Sequence, residues 1–160
     1  MKQVHITHVK PEFRVLGIAA CKLGEEYHVL GTVFKGNSEL DGILAGKGKR
    51  GLEDTIIKTV NGSKHHGQVR LILLDEDRMP SEIAPCLIWE KTGKPVLVLT
   101  REDSIDPRYM FHYRDRVVLA KGIDEKSATR VLNKIHGESG SEALRIADII
   151  LENISQVRNV

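Results

Sequence analysis

The run Val69-Arg70-Leu71-Ile72-Leu73-Leu74, closed by Asp75, constrains the fold more than any other stretch of this chain. A strand with one face in water alternates apolar and polar residues. One that is apolar at nearly every position is covered on both faces, which is the situation of a central strand between two layers of helices. A carboxylate at its carboxyl end then stands at the edge where open α/β sheets bind ligands.

The flanking segments fit such a sheet. Phe13 to Ala20, Tyr27 to Lys35 and Glu39 to Ala45 are rich in strand-forming residues and are separated by Lys22-Leu23-Gly24-Glu25-Glu26 and Gly36-Asn37-Ser38, as in an antiparallel meander. From Gly51 to Val60 the period changes, and Leu52, Ile56, Ile57 and Val60 share one stripe of an amphipathic helix. A helix from about Ser81 to Lys91, with Pro85 near its first turn and Gly93 as its stop, leads into the strand Val96 to Leu99 and completes a βαβ unit. Arg116 to Ala120 reads as a further strand, and two helices follow, N-capped by Asp124 and Ser141. This order predicts a mixed sheet, an antiparallel meander plus parallel strands covered by helices, which is the ribonuclease H-like order of the α/β class.

At 160 residues the chain suits one domain spanning 1–160. No apolar run approaches the length that spans a bilayer, and the amino-terminal residues lack the apolar block of a signal peptide, so the expectation is a cytoplasmic protein with no membrane partner. Cys21 and Cys86 have no CxxC companion, which suggests neither a zinc ribbon nor a disulfide framework. With a formal net charge of only +2, any case for nucleic acid rests on local clustering.

Several groups could carry chemistry. Asp75, beside Glu76 and Asp77, could hold a divalent cation that polarises a phosphate and activates water, or it could accept backbone hydrogen bonds at a strand-to-loop turn. Asp41, in Leu40-Asp41-Gly42, suits a bulge or bend. Lys47, Lys49 and Arg50 alternate with Gly46, Gly48 and Gly51 before a helix, where mobile amides and cations could converge on a phosphate; a solvated loop is the competing reading. Lys64 adds to a second basic run, and the adjacent His65 and His66 cannot both face one metal, so they read as surface groups or as complements to a helix terminus. Trp89 falls at core spacing. Tyr109, Phe111 and Tyr113 alternate with basic residues, which suits base stacking, an edge strand or a subunit contact.

Lys10 to Ile18, Leu40 to Leu44, Ser63 to Gln68, Leu73-Leu74-Asp75, Glu90 to Val96 and Glu142 to Asp148 together resemble, in order, the archaeal endonuclease dU family, which is similar to endonuclease V. The resemblance implies a ribonuclease H-like fold and a metal-dependent nuclease, using Mg²⁺ or Mn²⁺, that acts on nucleic acid with deaminated bases in DNA repair. It implies that Asp148, in the carboxy-terminal helix, partners Asp75 at the catalytic metal. The departures concern the same chemistry. The family follows the first strand's Gly-Ile with two aspartates, and this chain has Ala19 and Ala20 there. The acids expected after the third strand are missing from Ala45 to Gly51, and the segment Ser104 to Asp115 is short.

The reading is therefore an endonuclease dU-like domain that binds nucleic acid through Lys47, Lys49, Arg50 and Lys64 and whose hydrolytic site is impaired at Ala19 and Ala20. If it is active it needs Mg²⁺ or Mn²⁺ at Asp75 and Asp148; if not, no cofactor is called for. The alternative is a non-catalytic interaction or assembly protein on the same scaffold, able to form a homo-oligomer. A third reading rebuilds the site from Asp75, Asp148 and Glu53 or Asp54.

Overall fold

The computed structural model describes residues 3–101, 110–138 and 140–158. Tyr109 and the stretch from Ser104 to Pro107, singled out above, lie outside the described residues. Seven strands form one sheet: β1 (Arg14–Leu23), β2 (Glu26–Lys35), β3 (Glu39–Gly48), β4 (Leu71–Asp75), β5 (Val96–Thr100), β6 (Met110–Tyr113) and β7 (Arg116–Lys121). Their spatial order is β3-β2-β1-β4-β5-β7-β6, with a separate two-residue ladder of β8 (His136–Gly137) and β9 (Gly140–Ser141). The meander β1-β2-β3 is antiparallel, β1, β4 and β5 run parallel, and β7 and β6 return antiparallel. This is the mixed sheet that the sequence predicts, with β6 added as an edge strand over Phe111 and Tyr113.

β4 lies at the centre, and its side chains divide between two cores. Ile72 and Leu74 join Leu16, Ile18 and Ala20 under α1 (Leu52–Asn61) and α2 (Pro85–Thr92). Leu71 and Leu73 join Leu97, Leu99 and Val118 under α3 (Glu125–Ile135). On that second face α4 (Glu142–Arg158) covers β1 and β2, where Ala19 and Leu30 pack against Ala147 and Leu151.

Four local expectations are corrected. β1 does not stop at Ala20; hairpin pairing carries it to Leu23, opposite Glu26. β3 likewise continues through Gly48, because Gly46 and Gly48 let α1 lie close, their α-carbons facing Thr59 and Thr55. α2 starts at Pro85 rather than Ser81, since proline needs no N–H partner at a first helical position, and the preceding amides of Ile83 and Ala84 donate instead to Glu76 and Glu53. Ser141 does not cap α4: it sits in β9 with its hydroxyl unpartnered among the described residues, and Asn37 Oδ1 accepts from Glu142 N at 2.8 Å.

Asp124 caps α3 as expected, accepting from Ser127 N at 3.1 Å. Asp41 is the extra residue of a bulge, since Val33 pairs with Gly42 and Phe34 with Leu40. Trp89 packs on the first core, as its spacing predicts.

At Gly17 the sheet meets the backbone of a helix directly. A Cβ there would lie 2.5 Å from the Ala143 carbonyl carbon, and Thr32 Oγ1 donates to the Ala143 carbonyl oxygen at 2.6 Å. Gly17→Ala is therefore expected to lose about 1–3 kcal/mol in a urea melt, the range for overpacking. Gly67→Ala, where no atom lies within 4 Å, should leave the midpoint nearly unchanged.

Candidate functional site

Parallel pairing sets the site. Ile18 pairs with Leu74, so the next step places Ala19 beside Asp75, and alternation along each strand turns both toward α4. Asp148, one residue after the Ala147 that packs on Ala19, belongs to the same neighbourhood, and the charges of Asp75 and Asp148 repel. The structure thus brings together Asp75, Asp148 and Ala19, the three positions that the endonuclease dU resemblance links to a metal site. Ala19 is only 3% exposed, so the position where the resemblance expects an acid is dry and packed.

Both acids of this group, Asp75 and Asp148, are paired with an arginine. Arg116, at the start of β7, grips Asp75 with both ends of its guanidinium, Nη2 to Oδ1 at 2.7 Å and Nη1 to Oδ2 at 3.2 Å. Its Nη2 also reaches Asp77 Oδ2 at 3.2 Å, while its buried Nε has no hydrogen-bond partner among the described residues. Asp75 Oδ1 accepts from Asp77 N at 3.2 Å, which realises the turn-capping role weighed for it. Burial pulls the Arg116 pKa down, and the bond and charge of Asp75, helped by Asp77 and Asp115, outweigh it and hold the guanidinium above its ordinary value. On α4, Asp148 Oδ2 meets Arg78 Nε at 3.0 Å.

This donor set does not fit a magnesium or manganese ion. Such an ion needs several oxygens in an octahedron. Ala19 offers none, and both oxygens of Asp75 and one of Asp148, Oδ2, are engaged by guanidinium groups. Among the described residues no three His, Cys, Asp or Glu side chains are gathered to hold a metal. Glu53 and Asp54 do not complete the site either. α1 lies on the other face of the sheet, where Glu53 accepts from Ala84 N and Asp54 pairs with Lys58 at 3.3 Å.

Lys47, Lys49 and Arg50 are exposed at the end of β3, which points the same way as β4, so they share the Asp75 edge. Lys64 does not join them: α1 runs back across the sheet, and Lys64 emerges at the opposite end, before β4. His65 there packs its ring on Gly42, and His66 Nε2 lies 2.9 Å from the carbonyl oxygen of Thr92, complementing the end of α2. Arg116 and Arg78 are the residues that sequence reasoning missed. The alternation that sets Arg116 two positions before Val118 was the available signal, but only the strand order shows which acid it faces.

No family model matches the chain. The UPF0215 protein of Methanosarcina mazei is 37% identical over 100 residues, covering 59% of this chain and 51% of that protein. This chain spans about half the length of the curated relatives it matches. Among solved structures, a protein of unknown function from Archaeoglobus fulgidus superposes with a TM-score of 0.74 at 19% identity, covering 89% of this chain and 98% of that one. Ciona intestinalis endonuclease V, in complex with a 24mer DNA containing an inosine followed by a ribo-adenosine, superposes with a TM-score of 0.66 at 10% identity, covering 90% and 86%. The fold is that of endonuclease V. The expected resemblance to endonuclease V therefore holds, and the archaeal UPF0215 proteins are relatives of this chain.

On this endonuclease V fold the ion pairs are open to measurement. Arg116→Met leaves Asp75 without its cation and Asp77 with Arg101 alone, and should cost about 2–4 kcal/mol, whereas Arg116→Met with Asp75→Leu should regain most of it; equal losses in urea melts would contradict the pairing. Burial above all, then the charges of Asp75 and Glu152, raise the Asp148 pKa against the opposing pull of Arg78. The folded state consequently binds its proton more tightly than the unfolded chain, and stability falls as pH climbs from the ordinary value of 3.8 through the raised one. Asp148→Asn should raise the neutral-pH melting temperature and lose that advantage at more acid pH.

Proposed function

We propose that this protein is a nucleic-acid-binding domain on an endonuclease V fold whose hydrolytic centre no longer operates. The observation that carries the reading is the packing of Ala19 beside Asp75, with each remaining acid bound by an arginine. The resident cation at Asp75 is a side chain, so the edge keeps a charge balance without the geometry that activates a water. Exposed Lys47, Lys49 and Arg50 lie along that edge, and phosphate contacts of this kind position a strand without reading its sequence. Arg101, exposed and 3.9 Å from Asp77, extends the positive border. Deaminated bases are the substrate class that the endonuclease dU resemblance suggests for this surface.

The experiment pairs a binding titration with a cleavage assay on inosine- and uracil-containing DNA and RNA. Binding should weaken steeply as salt rises and weaken further when Lys47, Lys49 and Arg50 are changed to alanine. Cleavage with Mg²⁺ or Mn²⁺ should stay at background. Robust turnover abolished by Asp75→Asn would overturn the reading. Absent binding, together with a concentration-dependent dimer in sedimentation, would replace it by the assembly reading, to which Leu40 and Ile43 on edge strand β3 point, exposed at 43% and 48%.

A further inference from the structure

The end of the sheet opposite Asp75 holds a second concentration of charge. Arg14 opens β1, while Arg70 and Lys94 stand just before β4 and β5. Val15 pairs with Leu71 and Ile72 with Val96, so stepping back along the parallel register sets Arg14 beside Arg70 and Arg70 beside Lys94. The bond from Arg70 N to the Arg14 carbonyl oxygen, 2.9 Å, fixes the first pair. Neighbouring strands are about 4.8 Å apart, so three cations stand in a row across the centre of the sheet.

Like charges side by side repel. Burial first, and then the charge of Arg70, hold the Lys94 ammonium below its ordinary pKa. The counter-charge within the chain is incomplete. Arg14 Nε donates to Asp41 Oδ2 at 2.7 Å, and Arg70 Nη1 donates to the Gly67 carbonyl oxygen at 3.1 Å. Both Nη groups of Arg14, Nε and Nη2 of Arg70 and the Lys94 Nζ have no hydrogen-bond partner among the described residues.

Arg14 and Arg70 also line an open cavity of about 430 Å³, one wall of which is the amino-terminal segment. Lys10 adds a third cation to its wall, Glu12 is the single lining carboxylate among the described residues, and His8 and Gln68 supply further donors. Phe13, partly buried against the second core, presents an aromatic surface. The volume lies in the range of small-ligand pockets and is larger than one phosphate requires.

We propose that this cavity binds a small phosphate-bearing ligand of the nucleotide class, with its phosphates on Arg14, Arg70 and Lys10 and its ring against Phe13. Planar guanidinium groups with free forks suit phosphate oxygens. The site lies at the other end of the sheet from Asp75 and is independent of the nucleic-acid reading given above.

Calorimetric titration of the full chain tests it, with ADP, inorganic pyrophosphate and adenosine as separate ligands. ADP should bind, pyrophosphate should bind more weakly, and adenosine alone should give no heat. Arg70→Gln and Lys10→Ala should each weaken ADP by about tenfold or more, the loss expected for one charge-assisted contact. Lys134→Ala, on exposed α3 surface, should leave it unchanged. Lys10 is exposed, so its variant reads the site even if Arg70→Gln disturbs the fold. Equal affinity for pyrophosphate and ADP would overturn the nucleotide assignment. So would ADP binding insensitive to both variants, or an oligonucleotide that binds through Arg70 where ADP does not.

Discussion

The distance between α4 and β1 governs the carboxyl edge of this protein. Gly17 has no side chain to hold Ala143 away, and Ala19 has only a methyl under Ala147. The helix therefore settles almost onto the strand, and Thr32 ties its first turn down through the Ala143 carbonyl. That docking brings Asp148 to the end of β4, where it meets the field of Asp75. A larger side chain at either small position would lift the helix and separate the two acids.

The same closeness explains why the edge is balanced by arginine. Two carboxylates drawn together in a partly buried place raise each other's energy, and one must take a proton or both must acquire cations. Here Arg116 comes from β7, on the far side of β5, and Arg78 from the short 3-10 turn that follows β4. The two sources differ in rigidity. Arg116 is 15% exposed in its side chain and Arg78 is 57% exposed, so the Asp75 pair is a fixed element and the Asp148 pair is a surface one.

Much of the architecture can be read from local pattern. The unbroken apolar run before Asp75 marks the central strand, the period change at Leu52 marks α1, and Asp124 caps α3, because each signal lies within a few residues of its effect. Asp41-Gly42 marks a bulge for the same reason. Signals whose partners are distant mislead. Gly46 and Gly48 look like a mobile phosphate loop, but their smallness serves Thr55 and Thr59 on α1. Ser141 has the right residue type for a cap, yet Asn37 does the capping from 105 residues away. The candidate site is divided likewise: Asp75, Asp148 and Ala19 are legible, and the Arg116 that decides what Asp75 can do is visible only once β5 and β7 are paired.

A counter-ion that belongs to the polypeptide behaves unlike one drawn from solution. Its local concentration is fixed by the fold, so chelators do not strip it and fluctuations in cellular magnesium do not dilute it. The charge state of the Asp75 edge is in that sense inherited with the backbone, and its loss requires the detachment of β7.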